Sequence, residues 1–152
     1  MKIDMLSIDT NLLFFAYAKD RPEHPAAWRW MMEQRQREDV AISEFILVEF
    51  YRLLRNPAVM RRPLGAAEAV EVLAHYRRHP RWKLLGFTTH SQRLHDELFQ
   101  IMARDGIAYR RIYDARTALA LRHHGVTEFA TTNIKDFKGF HFARVWNPIE
   151  LL

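Results

Sequence analysis

The fold class is decided by the stretch Met5-Leu6-Ser7-Ile8-Asp9-Thr10-Asn11. Its apolar half predicts a short buried strand over 5–8, and the helical spacing from Asn11 to Ala18 predicts that a helix follows at once. A buried strand that passes directly into a helix is typical of an α/β fold with a parallel sheet. Asp9 would then lie just beyond the carboxyl end of a strand, where such sheets bind their ligands.

The same alternation continues to the end of the chain. Asn56-Pro57 stops one predicted helix, and Gly125 closes another. Further strands are predicted over 39–42, 82–87, 129–131 and 143–146, and further helices over 24–36, 43–55, 65–78, 91–104 and 113–124. The pattern predicts an α/β protein with a mainly parallel central sheet of about five short strands.

Length and composition set the broad class. The 152 residues suit one domain over 1–152, with no repeat or linker to divide it. There is no cysteine, which excludes disulfides and thiolate metal sites. No apolar run approaches the ~20 residues of a membrane span, and no signal-peptide layout is present, so we expect a cytoplasmic protein. The net charge of +5 is compatible with a polyanionic ligand.

Four carboxylates occupy chemically informative positions: Asp9, Glu49, Asp114 and Asp136. Glu49 interrupts the apolar row of a predicted helix, where a carboxylate is rarely buried unless it is paired or binds a metal. Asp114 opens a helix, and Asp136 follows a predicted strand. Three of the four are predicted beside the same edge of the sheet.

Each carboxylate also has a purely structural interpretation. Asp9 can cap the helix that follows it, and Asp114 can do the same for its own helix. Glu49 can form a local ion pair with Arg52, and Asp136 can flank a turn. These alternatives stay open for each residue alone, but they do not explain why all four coincide.

A cluster of carboxylates requires a cation. Two carboxylates ~5 Å apart repel each other by about 3 kcal/mol at an effective dielectric constant near 20. An oxygen-rich site without cysteine suits Mg²⁺ or Mn²⁺ rather than structural zinc. Such a metal would orient and acidify a water molecule for attack on a phosphate. The residues therefore predict a metal-dependent nuclease.

Several segments, in the same order and spacing, resemble the PIN domains of VapC-type toxins from bacterial toxin–antitoxin pairs. Residues 7–11 are similar to the opening of these domains, and the match is closest over Tyr113-Asp114-Ala115-Arg116 and over 131–137, ending in 146–148. Residues 48–57 are also similar. Residues 58–108 carry no matching motif.

This resemblance implies a PIN-like α/β/α sandwich, a Mg²⁺- or Mn²⁺-dependent endoribonuclease, an antitoxin that blocks the cleft, and often a homodimer. It assigns the four carboxylates to the catalytic metal site, with Asp136 binding the metal directly or through water. It also implies supporting roles for polar neighbours, namely Thr10, Asn11, Thr132 and Asn133.

Three arginines flank the predicted site: Arg110, Arg111 and Arg116. Beside a nuclease centre they are predicted to bind RNA phosphates, although a solvated helix face is the alternative. Arg52 and Arg55 could contact RNA or an acidic antitoxin segment.

Two further groups are predicted to be structural. Adjacent histidines such as His123 and His124 point in different directions on a helix and do not easily share a metal. Aromatic residues in apolar patterns are predicted to form the core: Trp28, Trp30, Phe45, Phe50, Trp82, Phe99 and Phe129.

The sequence thus favours a toxin ribonuclease that cleaves structured, tRNA-like RNA. A housekeeping RNA-processing nuclease is one alternative. A non-catalytic RNA- or partner-binding PIN module is another, although such a module gains little from negative charge beside an anionic ligand.

Overall fold

The computed structural model describes residues 4–150, so the single domain expected over 1–152 extends beyond this range at both ends. Within it, five strands form one sheet: β1 (Leu6–Ile8), β2 (Val40–Ser43), β3 (Lys83–Leu85), β4 (Glu128–Ala130) and β5 (Arg144–Trp146). All neighbouring strands are parallel, and their order is β3-β2-β1-β4-β5. The predicted sheet is confirmed.

Seven helices connect these strands within residues 4–150: α1 (Thr10–Tyr17), α2 (His24–Gln34), α3 (Glu44–Leu54), α4 (Ala66–Arg77), α5 (Ser91–Met102), α6 (Arg111–His123) and α7 (Ile134–Phe137). The chain runs from β1 to β3 in one direction and then crosses back to β4 and β5. Right-handed crossovers therefore place α1–α4 on one face of the sheet and α5–α7 on the other. The result is the α/β/α sandwich that the resemblance implied.

The central strand β1 is buried along its whole length because helices cover both faces of the sheet. Leu6 and Ile8 are fully buried, and each contributes roughly 2–3 kcal/mol through the hydrophobic effect. Ser7 between them donates its hydroxyl hydrogen bond to the carbonyl oxygen of Ala41 at 2.7 Å. No unpaired polar group is therefore left at Ser7.

The aromatic core was predicted only in part. Phe50, Trp82 and Phe129 are buried as expected, and Trp82 donates its indole N–H to the carbonyl oxygen of Gln34. Trp28 and Phe99 are instead 52% and 57% exposed, so their assignment to the core was wrong. Apolar spacing does not reveal that these two side chains lie at the margin of their helices' buried faces.

One helix was not predicted at all. α7 consists of Ile134-Lys135-Asp136-Phe137, a length too short to show a helical period. The other elements agree with the prediction, and their ends differ by a residue or two. No helix in the described range is sufficiently long and apolar to cross a bilayer.

The topology creates one crevice for a ligand. From β1 the sheet continues to β2 on one side and to β4 on the other, so the strand order switches between β1 and β4. The backbone N–H of Asp9 donates to the carbonyl oxygen of Ala130 at 2.9 Å and fixes the two strand ends side by side. Open parallel sheets bind ligands at such a switch point, beyond the carboxyl ends of the strands.

Candidate active site

Asp9 is the best-anchored residue of the crevice. It is the N-cap of α1, and its Oδ1 accepts from the backbone N–H of Thr10 at 2.8 Å. Its Oδ2 accepts from the hydroxyl of Thr131 at 2.6 Å. The carboxylate is only 7% exposed. Capping, which the sequence left open as an alternative, is therefore one of its roles.

Thr131 holds Asp9 and was not singled out from the sequence. It follows β4 and is fully buried. Its hydroxyl donates to Asp9 and accepts from the backbone N–H of Asn133 at 2.9 Å. One hydroxyl group thus fixes the carboxylate and the turn that leads to α7. A threonine at a strand end is too common to predict this contact without knowing that β4 pairs with β1.

Glu49 approaches the same crevice from α3. Its Oε2 accepts from the hydroxyl of Thr10 at 3.0 Å, which links it to the start of α1. No ion pair joins Glu49 to Arg52 among the described residues, so this alternative is wrong. The half-buried carboxylate is directed towards Thr10 rather than towards the nearest arginine in sequence.

Asp114 enters from α6. Arg110 is the N-cap of this helix, so Asp114 lies inside the first turn and its predicted capping alternative is wrong. Burial, together with the negative charges of Glu49 and Asp136, raises the pKa of the Asp114 carboxyl from 3.8 to about 6. Arg111 acts in the opposite direction. Asp114 is thus close enough to Glu49 and Asp136 for their negative charges to disfavour its ionised form.

The pKa of Asp9 indicates the same cluster. Burial raises this pKa from 3.8 to about 7, although the hydrogen bonds from Thr131 and Thr10 oppose the change. Glu49 and Asp114 add repulsion that favours the neutral acid. Two segments distant in sequence, α3 and α6, therefore bring negative charge to one buried carboxylate.

These side chains line an open cleft of about 630 Å³. Three of the four predicted carboxylates contribute to it, together with Thr10, Asn11 and Asn133 from the predicted supporting set. Its other polar lining residues are Tyr51, Arg52, Arg55 and Asn56. Arg52 and Arg55, whose roles the sequence left open, thus lie on the wall of this cleft.

Asp136 lies at the margin of the cleft rather than on its wall. Its Oδ2 accepts from the side-chain amide of Asn133 at 2.6 Å, and its Oδ1 lies 3.7 Å from Nε of Arg111. It still acts on the cleft through the repulsion that raises the pKa of Asp114. Thr132 contributes through its backbone, whose N–H donates to Oδ1 of Asn11 at 3.4 Å.

The three predicted phosphate-binding arginines have different surroundings. Arg110 is exposed at the start of α6. Arg111 donates to the backbone carbonyl oxygen of Asp136 at 3.0 Å. The guanidinium of Arg116 lies 5.2 Å from the centroid of the Phe45 ring, in a cation–π arrangement. None of the three lines the carboxylate cleft itself.

The donor set suits a hard divalent cation. Within residues 4–150, no three acidic or histidine side chains form a ready set of metal ligands. Mg²⁺ does not require one, because it commonly binds through one or two carboxylates and keeps several waters. Asp9 and Asp114 both line the cleft, and a cation held there would offset the negative charge of Glu49, which after burial raises both pKa values.

Comparisons with known proteins give the relatives of this chain. The family model of the PIN domain matches residues 6–140. Ribonuclease VapC24 of Mycobacterium tuberculosis is 51% identical over 145 residues, which cover 95% of this chain and 97% of that protein.

Solved structures show a similar fold. The M. tuberculosis toxin VapC20, described as cleaving the sarcin–ricin loop, superposes with a TM-score of 0.64 at 21% identity and covers 91% of this chain and 96% of its own. VapBC2 from Rickettsia felis, bound to a DNA fragment of its promoter, has a TM-score of 0.64 at 17% identity, with 94% and 98% covered.

Proposed function

The chain belongs to the PIN-domain family, as a VapC-type member, and on this premise we propose that it is a divalent-metal-dependent endoribonuclease and the toxin of a toxin–antitoxin pair. The observation that carries the proposal is the convergence of Asp9, Glu49 and Asp114 in one cleft at the switch point of the sheet. A relative 51% identical over almost the whole chain is named a ribonuclease, which supports the same activity.

The residues of the cleft have distinct roles in this proposal. Asp9 and Asp114 hold the cation, while Thr131 and Thr10 keep the Asp9 carboxylate in place. The bound Mg²⁺ or Mn²⁺ would supply a water of lowered pKa and neutralise charge on the phosphate. Glu49 and Asp136 add negative charge around the cation, Glu49 from the cleft wall and Asp136 from its margin.

We assign the RNA backbone to the cationic side of the cleft. Arg52 and Arg55 line the wall that carries Glu49, and Arg110 lies exposed on the neighbouring turn of α6. Arginine binds phosphate through a planar fork of donors, so these side chains suit a polyanionic chain. A wide, open cleft suits structured, tRNA-like RNA as the substrate class.

An antitoxin is the proposed protein partner, in line with the VapBC assembly among the structural neighbours. A small apolar groove of about 270 Å³ lies between α2 and α4, and it is lined in part by the exposed side chains of Trp28 and Met32. We assign this groove to an antitoxin segment. Trp28→Asp should abolish the complex with the co-expressed product of an adjacent antitoxin gene and should leave RNA cleavage intact.

A homodimer is also proposed. Phe87 is 86% exposed, and its ring contacts that of Phe45 at a centroid distance of 5.3 Å. An aromatic side chain of this exposure suits a contact with a second copy. Light scattering on the wild type and on Phe87→Asp tests the assignment, and a wild-type monomer would contradict it.

The function is tested by RNA cleavage. The purified protein is incubated with total cellular RNA in Mg²⁺, in Mn²⁺ or in excess EDTA, beside Asp9→Asn. Asp39→Asn is the matched control, because Asp39 is bound by Arg37 at 2.7 Å just before β2, at the opposite end of the strands. Discrete fragments that require both metal and Asp9, and that Asp39→Asn still produces, are expected.

Intact RNA in every lane, from folded protein free of antitoxin, would contradict the nuclease and favour a binding module. An antitoxin gene adjacent to the coding sequence distinguishes the toxin from a housekeeping nuclease.

A further inference from the structure

A second cavity lies behind the α6 wall of the carboxylate cleft. It has a volume of about 410 Å³ and is bounded by α5, α6 and the loop that follows α7. We call it the flanking pocket. Arg104, Arg111 and Lys138 lie among its lining residues, and Ile101, Leu119 and Phe140 form part of its apolar surface. Pockets of this size commonly bind a small organic molecule rather than a single ion.

The charge of the flanking pocket is strongly positive. Arginine and lysine contribute four of its lining residues, against one carboxylate from Glu97. That carboxylate lies 3.3 Å from Nε2 of His123 and is directed towards it. Neither Arg104 nor Lys138 forms an ion pair within residues 4–150. These two cations remain available for an anionic ligand.

Arg111 connects the flanking pocket to the active site. Its guanidinium lines the pocket, while one of its nitrogens donates to the backbone carbonyl oxygen of Asp136. Its Nε is buried without a hydrogen-bond partner. Ala115 also lines the pocket, directly next in sequence to Asp114 of the cleft. The first turn of α6 is therefore a shared wall with carboxylates on one side and cations on the other.

The combination of features identifies the class of ligand. A lone phosphate would leave most of the volume and the apolar surface unused, and an apolar ligand would leave the cations unpaired. A nucleotide matches both the apolar surface and the cations, because its base covers the apolar surface while its phosphate accepts hydrogen bonds from arginine and lysine. An RNA strand bound in the carboxylate cleft must also extend beyond the cleft, and only the first turn of α6 separates the flanking pocket from it.

We propose that the flanking pocket binds a nucleotide of the RNA substrate next to the bond that is cut, with Arg104 and Lys138 on its phosphate. This assignment rests on the ribonuclease function proposed above. It adds a specificity site, since the base in the pocket would contribute to the choice of cleavage position.

The first test is kinetic. Arg104→Ala, Lys138→Ala and the double variant are compared with Lys83→Ala, an exposed lysine at the start of β3. The double variant should raise KM for RNA roughly tenfold and leave kcat within about twofold of the wild type, because only ground-state contacts are lost. All four proteins should unfold at the same temperature, because the substituted side chains are exposed.

The second test separates binding from cleavage. In the Asp9→Asn background with EDTA, a short fluorescein-labelled single-stranded RNA is titrated at several salt concentrations by fluorescence anisotropy. Each lost phosphate contact should reduce the slope of log K against log salt by about 0.7, and Lys83→Ala should not change it. Adenosine monophosphate is measured in parallel by equilibrium dialysis.

The outcomes distinguish this proposal from the function on which it rests. If the wild type does not cleave RNA but the pocket variants still lose RNA binding, the nuclease assignment fails and the pocket stands. If the wild type cleaves and the double variant behaves like Lys83→Ala, the pocket assignment is overturned. The assignment is also overturned if the wild type binds adenosine monophosphate tightly while the pocket variants bind RNA as the wild type does. It is overturned as well if the pocket variants lose binding of the antitoxin but keep their binding of RNA.

Discussion

Asp9→Asn should make the metal-free protein more stable while it abolishes cleavage. The carboxylate is buried beside two other acids, and its pKa is raised to about 7. Asparagine has the same shape without the charge. Its carbonyl oxygen can accept from the backbone N–H of Thr10, and its amide can donate to the hydroxyl of Thr131, which reverses the direction of the hydrogen bond that Thr131 donates to Asp9. The substitution therefore removes repulsion and keeps both contacts.

The size of the effect follows from the pKa of Asp9. A rise from 3.8 to about 7 corresponds to about 4 kcal/mol, at ~1.4 kcal/mol per pKa unit, when the carboxylate is ionised. The hydrogen bonds from Thr131 and Thr10 are already included in this pKa, so asparagine should gain roughly 3–4 kcal/mol at about pH 8.

The dependence on pH has a defined sign. A carboxyl whose pKa is raised by folding does not reduce the free energy of unfolding when the pH is below its unfolded pKa, near 3.8. The destabilisation grows as the pH rises from there towards about 7. The advantage of asparagine should be close to zero near pH 4 and complete near pH 8.

Urea or thermal unfolding in EDTA measures this difference. At about pH 8 the variant should unfold roughly 6–16 °C above the wild type, and at about pH 4 the two should nearly coincide. Added Mg²⁺ should stabilise the wild type and not the variant, because the proposed site requires the Asp9 carboxylate. Asp39→Asn should not be stabilised at either pH, since hydrogen bonds from Arg37 lower the pKa of Asp39. A variant no more stable than wild type at pH 8, in EDTA, would refute the reasoning.

Three other outcomes are expected. Mg²⁺ affinity, measured by calorimetry, should rise from about pH 5 to about pH 8 and then level off, because Asp9 and Asp114 must lose their protons before they can bind the ion. An affinity that does not change with pH would count against these two residues as ligands. Thr131→Val should cost about 1–3 kcal/mol in urea unfolding and reduce kcat, because it leaves buried groups unpaired, whereas Thr131→Ser should restore both. Arg52→Ala and Arg55→Ala should each raise KM for RNA and reduce its salt dependence by about 0.7 in the log–log slope, and unchanged KM values would exclude these arginines from RNA binding.

The fold could be predicted because the strands are uniform. β1 and β2 are buried throughout, so their apolar runs and the helical spacing between them define a parallel α/β pattern. The order of the strands was not predicted from the residues, since pairing β1 with β4 joins segments more than a hundred residues apart. α7 escaped prediction because four residues cannot show a helical period.

The site could be predicted only at the level of residue type. Asp9 was found because its position after β1 follows from the local pattern alone. The role of Asp114 depended on a helix boundary: it could cap a helix that begins at Ala115, but α6 begins at Arg111 and places Asp114 in its first turn. Thr131 required the three-dimensional arrangement, because its contact with Asp9 spans 122 residues. Local patterns thus give candidate ligands but not the residues that orient them.

The position of Asp9 also bears on why a carboxylate that destabilises the fold lies at this site rather than an asparagine. Its Oδ1 caps α1, a contribution that asparagine at the same position supplies nearly as well. A structural role alone therefore does not require a buried negative charge beside Glu49 and Asp114. A cation bound in the cleft beyond the strand ends, as proposed, would compensate this charge. Capping fixes the geometry of Asp9, and the proposed metal binding would account for its charge.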